Sequence, residues 1–173
     1  MLQTMTLGEM IGQALGIFAV LLGFVSFQAR TRKMLLMTQC AISVVFIAHY
    51  LLIGAYSGLA MNIVSLARNL TYSYQDKLRL SQKQTIGLYA VLYVLLGALA
   101  WQGWFSLMPI ISLLINTYFM SKGDPQLVRK SILVSSPIMI IYDVLVASCG
   151  GILFESVIIV SSLIGVLRYR RED

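Results

Sequence analysis

Asp143 and Glu155 stand inside apolar runs that contain no basic residue. A carboxyl group placed in hydrocarbon is costly, so each needs a reason to be there. The chemistry open to such groups is proton or cation handling, or acceptance of hydrogen bonds from a polar solute. For Glu155 the plainer alternative is a position near a wet interface; Asp143 reads as deeper. Amides supply a second set of groups. Asn62 and Asn69 are seven residues apart and share one helix face, and Asn116 lies in a later apolar run. Such amides either meet a hydroxylated solute or tie neighbouring helices together, at about 0.6 kcal/mol per bond. Arg68, beside Asn69, reads as a residue snorkelling to the interface or as a ligand. His49, at the end of its run, reads as hydrogen-bonded structure before it reads as a catalyst. Gln39, Tyr50, Ser135, Ser136 and Tyr142 complete the polar set. Candidate solute-binding residues are therefore Asn62, Arg68, Asn69, Asn116, Asp143 and Glu155. Pro109 and Pro137 lie inside apolar runs, where each frees a carbonyl and permits a bend; they are candidate hinges.

Catalytic constellations are absent from the sequence. It has no phosphate-cradling glycine loop, no nucleophile elbow and no His pair at metal spacing. Cys40 and Cys149 have no metal-type spacing, and a single His cannot complete a zinc site. Neither an enzyme nor a cofactor or metal protein is expected.

The elements that must carry these groups are membrane helices. The chain has 173 residues, 58% hydrophobic and 12% charged, with mean hydropathy +0.83. A soluble fold of this length buries only about 70% of its unfolded surface, so the bilayer must solvate much of the rest. Charged residues make up about a quarter of a soluble domain. A transmembrane helix needs about 20 apolar residues, and seven runs qualify: 11–28, 34–54, 58–74, 85–101, 104–120, 131–148 and 152–167. Only helices and closed barrels satisfy their backbone in lipid, and these runs do not alternate. The expectation is an all-α polytopic bundle forming a single membrane domain.

Thirteen Lys and Arg residues fall in four clusters: Arg30, Arg32 and Lys33; Arg68, Lys77, Arg79 and Lys83; Lys122, Arg129 and Lys130; and Arg168, Arg170 and Arg171. The turns between them, near Ala55-Tyr56-Ser57-Gly58, Trp101-Gln102-Gly103 and Ser148-Cys149-Gly150-Gly151, are uncharged. Cytoplasmic loops retain Lys and Arg, which places the N-terminus outside and the C-terminus inside. The net charge of +6 is thereby explained without nucleic acid. The first run has no basic segment before it and no small-residue cleavage site, so it reads as a retained helix.

Residues 49–62 overlay residues 142–155 at an offset of 93, with Gly58 on Gly151 and Asn62 on Glu155. This predicts two parallel three-helix units, 11–74 and 104–169, joined by an inverting helix at 85–101, the plan of parallel-repeat transporters. The residues 75–84 form the most polar linker. Gly12 and Gly16 have the spacing of a helix-packing motif.

Gly16, Gly23-Phe24-Val25-Ser26-Phe27-Gln28, Arg32-Lys33, Gln39, His49 to Ala55, Asn62 and Arg68-Asn69 resemble the YgjV family of bacterial inner membrane proteins. Ser136-Pro137 and Tyr142-Asp143 fit the family more loosely. The resemblance implies a multi-pass protein of the bacterial inner membrane and a fold similar to the PQ-loop and SWEET group of small transporters. The Pro-Gln dipeptide of that group is missing from both expected positions. The function expected is a small-solute transporter, with a sugar as one candidate cargo; the rival is a receptor, chaperone or assembly partner without transport. The partners expected are the lipid bilayer and a small polar solute, with self-association left open.

Overall fold

The computed structural model describes residues 6–27, 32–78, 80–122 and 124–169. Gln28, Arg30, Arg79, Gly123, Arg170 and Arg171, named above, lie outside the described residues. Seven long helices follow one another: α1 (Leu7–Phe27), α2 (Arg32–Leu52), α3 (Tyr56–Ser73), α4 (Gln82–Leu99), α5 (Leu107–Ser121), α6 (Pro125–Leu145) and α7 (Cys149–Tyr169). The polar linker holds a one-turn helix, Gln75–Leu78. Among the described residues three stretches, Leu7–Phe24, Trp104–Ser121 and Cys149–Leu167, are long and apolar enough to cross a membrane. The other helices are diluted by polar residues, and the structure turns several of these inward. Arg68, Asn69, Ser43, Ser135 and Asp143 are buried. Leu21, Val94, Leu95, Val134, Val160 and Ile164 are exposed. A surface apolar outside and polar within is what a lipid solvent selects.

Several helices begin earlier than apolarity alone predicts, because their first turns are polar and capped. Ser81 caps α4 in a reciprocal box: the Gln84 amide donates to Ser81 Oγ, and the Ser81 amide donates to Gln84 Oε1. Asp124 caps α6, accepting from the Gln126 amide at 2.8 Å, and Pro125 occupies the first helical position. A 3-10 turn, Trp104–Ser106, leads into α5. Pro109 therefore sits in the first turn of α5, where its missing N–H costs the helix nothing. Its position in the first turn gives no bend within α5. Pro137 does lie inside α6.

Adjacent helices pack in a closed order. α2 lies between α1 and α3, α6 lies between α5 and α7, α3 meets α5, and α7 meets α1. α4 stands outside this ring and braces the seam between α3 and α5. There Tyr89, Tyr93, Met61, Val64 and Ile110 form an apolar cluster. The opposite seam closes by backbone approach. A Cβ on Gly150 would lie 2.3 Å from Gly16 Cα; a Cβ on Gly12 would instead meet the Leu52 and Ile53 side chains at the end of α2 at 3.0 Å. The Gly12 and Gly16 pair is thus a packing motif, as its spacing suggests.

The α2–α3 and α6–α7 turns have the same construction. After α2, the Ala55 amide donates to Tyr50 O and the Gly54 amide to Leu51 O; after α6, the Ser148 amide donates to Asp143 O and the Ala147 amide to Val144 O. Each donor and acceptor of the second set lies 93 residues after its counterpart in the first. Each turn passes through the left-handed region, at Gly54 (φ 73°) and Ala147 (φ 53°), as a Schellman-type helix end requires. That conformation costs a residue with a Cβ about 1–2 kcal/mol, while glycine's extra freedom when unfolded returns about 0.5–1 kcal/mol. Ala147→Gly is therefore expected to raise the melting temperature of the purified protein slightly, and Gly54→Ala to lower it. A melt in which Ala147→Gly destabilises would contradict this assignment of strain.

Candidate functional site

The end of the bundle that carries the uncharged turns is sewn shut by side chains. Gln13 of α1 donates from Nε2 to Ala147 O at 2.7 Å and accepts the Gly150 amide on Oε1 at 3.4 Å. Gln102, just before α5, does the same for the other turn. It donates to Gly54 O at 2.9 Å and accepts the Ser57 amide at 3.2 Å. His49, at the end of α2, reaches Gly12 O and Ser148 Oγ, both at 2.7 Å. A carbonyl only accepts, so Nδ1 carries a proton and donates to Gly12 O. Tyr142, at the end of α6, accepts the Gly58 amide at 2.7 Å and shares a hydrogen bond with Ser57 Oγ at 2.9 Å. Tyr50 donates to Asp143 Oδ1 at 2.7 Å across a separation of 93 residues. Every one of these side chains except the two glutamines is fully or almost fully buried.

Below this cluster lies a cavity of about 130 Å³. α2, α3, α5, α6 and α7 all contribute to its wall. Phe46, Tyr50, Gly58 and Phe154 bound it toward the uncharged turns, and Gln39, Arg68, Asn69, Asn116 and Met120 bound it toward the other end. Arg68 donates from Nε and Nη2 to Asn69 Oδ1 at 3.2 and 3.0 Å, and from Nη1 to Thr117 Oγ at 3.0 Å. Thr117 in turn donates to Leu113 O at 2.7 Å, which fixes its lone pair toward the guanidinium. Asn116 Oδ1 accepts from Ser131 and Ser135 at 2.9 and 3.2 Å, joining α5 to α6. Asn62 donates back to Gly58 O at 3.0 Å. Glu155 faces the Ser136 hydroxyl.

Of the six expected solute-binding residues, Asn62, Arg68, Asn69, Asn116 and Glu155 share this wall. Asp143 is not on it, which corrects the expectation. It sits two residues before the end of α6, bound to Tyr50 and wedged against Gly151, where a Cβ would come within 2.4 Å of Asp143 Cγ. It is one hydrogen bond removed from the wall. The snorkelling reading of Arg68 is also corrected, since only 4% of the residue is exposed. Gln13, Gln102, Ser57, Ser148 and Thr117 were not anticipated. A signal exists for the two glutamines: each lies near an uncharged end of an apolar run.

A family model described as bacterial inner membrane protein, Imp-YgjV, matches residues 10–173. No curated protein and no solved structure is significantly similar to the chain. The match takes in all the helices from the second turn of α1 onward, the closed turn end and the whole cavity wall, and on that span the chain belongs to the YgjV family of bacterial inner membrane proteins.

Proposed function

We propose that the chain is a carrier that moves a small polar solute across the bacterial inner membrane. The observation that carries this reading is the cavity itself. It lies inside a bundle whose exterior is apolar, and its wall holds a guanidinium, four amides and a carboxyl. Polar groups of this kind are expensive at membrane depth and are kept where they meet a solute or ion. In the proposed mechanism the units 11–74 and 104–169 rock against each other about the cavity, with α4 as the inverting linker. The matched turns and the paired action of Gln13 and Gln102 support that division into parallel units. Exposed Lys33, Lys77, Lys83, Lys122 and Lys130 support a cytoplasmic position for the end opposite the sewn turns. The structure is then closed on the periplasmic side.

The test is flux. Proteoliposomes holding the purified protein are expected to take up or exchange a labelled polar solute well above protein-free vesicles, and Asn62→Leu, which leaves α3 a good helix, is expected to cut that flux about tenfold or more. Flux at the level of empty vesicles across a panel of amino acids, monosaccharides and small organic ions would refute the carrier reading.

A further inference from the structure

A guanidinium buried without an anion costs several kcal/mol or more, and removing it from water is tolerated only with strong compensation. Among the described residues the hydrogen-bond partners of Arg68 are neutral: Asn69 Oδ1 and Thr117 Oγ. Arginine carries five N–H donors, and these contacts use three. Beside it Asn69, 1% exposed, has its amide nitrogen Nδ2 buried with no hydrogen-bond partner. Both residues line the cavity. One fixed positive charge, spare donors in a planar fork and an unpartnered amide N–H are what a carboxylate or phosphate oxygen pair requires. A carboxyl group, that of Glu155 on α7, stands on the same wall. A neutral sugar would leave the Arg68 guanidinium without an anion.

Size narrows the ligand further. A protein cavity of roughly 150 Å³ accepts benzene, and the cavity here is about 130 Å³. That volume suits a ligand of the size of glycine, alanine or serine better than a hexose.

We propose that the cavity binds a small zwitterion of the α-amino acid type, its carboxylate held by Arg68 and Asn69 Nδ2 and its ammonium facing Glu155. The inference deepens the carrier reading and rests on it for calling this ligand the cargo. The experiment is a thermal-shift and calorimetric titration of the purified full chain at pH 7. The probes are glycine, L-alanine and L-serine, with acetate, methylammonium and glucose as partial or neutral analogues. The amino acids are expected to stabilise the protein saturably. Acetate and methylammonium are expected to need at least about tenfold higher concentration, since each satisfies one charge only. Glucose is expected to give no shift. Arg68→Lys keeps the charge but loses the fork, and Asn69→Ala keeps the guanidinium. Each is expected to weaken glycine binding about tenfold or more while eluting as a monodisperse peak on size exclusion. The inference is overturned if none of the three amino acids binds, if glucose binds as well as they do, or if both monodisperse variants bind like the parent. Amino-acid binding without flux of labelled glycine in proteoliposomes leaves the site standing and sinks the carrier reading. Glucose flux without amino-acid binding does the reverse.

Discussion

Gly150→Val is expected to prevent most of the protein from reaching a monodisperse folded state. The Cβ alone would lie 2.3 Å from Gly16 Cα, 2.5 Å from Gly16 C and 3.0 Å from the Ile17 amide nitrogen. These are backbone atoms of α1, so no side chain can rotate away to make room. The helix must move as a unit. Moving it strains the Gln13 bonds to Ala147 and Gly150 and the His49 bond to Gly12 O. Overpacking alone costs about 1–3 kcal/mol, and each buried polar group left unpaired adds about 1–3 kcal/mol. Membrane helices gain little from hydrophobic association and depend on close backbone approach at such crossings. The measurement is the yield and melting temperature of the detergent-purified variant beside the parent. A Gly87→Val control is expected to cost no more than a propensity change, because a Cβ at Gly87 meets nothing within 4 Å. If Gly150→Val melts like that control, the α1–α7 crossing is not the tight seam described here.

The fold was legible wherever one property dominated a whole run. Seven apolar blocks between charge clusters marked seven helices, because lipid leaves a helix no cheaper way to satisfy its backbone. Helix starts were less legible. Asp124-Pro125 and Ser81-Gln82-Lys83-Gln84 are polar, so hydropathy assigns them to loops, yet each is a capping sequence that opens a helix. The site was legible as a set of unusual residues and not as an arrangement. Asn62, Arg68, Asn69, Asn116 and Glu155 stand out because polar groups are rare in hydrocarbon, and they do share one cavity. Asp143 stood out for the same reason, but its place depends on Tyr50 being opposite it, a contact between helices far apart in the chain. The overlay at an offset of 93 pairs Tyr50 with Asp143 as corresponding positions. It could not say that corresponding residues would touch. Gln13 and Gln102 were harder still. A glutamine near the end of an apolar run is ordinary, and its function appears only when one backbone turn comes within reach of both ends of its amide.

The Tyr50–Asp143 bond invites the second large effect. Asp143→Leu is expected to cost about 2–5 kcal/mol, and Asp143→Asn far less. Asparagine keeps the shape and keeps an oxygen to accept from Tyr50 Oη. Leucine removes the acceptor and leaves the hydroxyl of Tyr50, a residue 2% exposed, without its partner. Leucine also branches where Asp143 Cγ is already pressed against Gly151. These two costs separate in a double-mutant cycle. Tyr50→Phe removes the orphaned hydroxyl, so Tyr50→Phe with Asp143→Leu is expected to be more stable than the sum of the single changes by about 1–3 kcal/mol. The steric part remains in the double variant. Additive losses would mean that the hydrogen bond contributes nothing. A loss in Asp143→Asn equal to that in Asp143→Leu would mean that the carboxylate charge matters and the acceptor geometry does not. The same cycle bears on the closed end of the bundle. Tyr50 lies on the cavity wall and Asp143 belongs to the turn cluster, so this bond is where the two meet. In the proposed carrier, a solute that reaches Tyr50 from the cavity would compete for the bond that helps hold the turns together. Loosening it is therefore expected to make Asn62→Cys, in a Cys149→Ser background that removes the exposed native thiol, more reactive toward an impermeant thiol reagent added from the uncharged-turn side. Unchanged labelling in Tyr50→Phe would place the barrier in the Gln13 and Gln102 contacts instead.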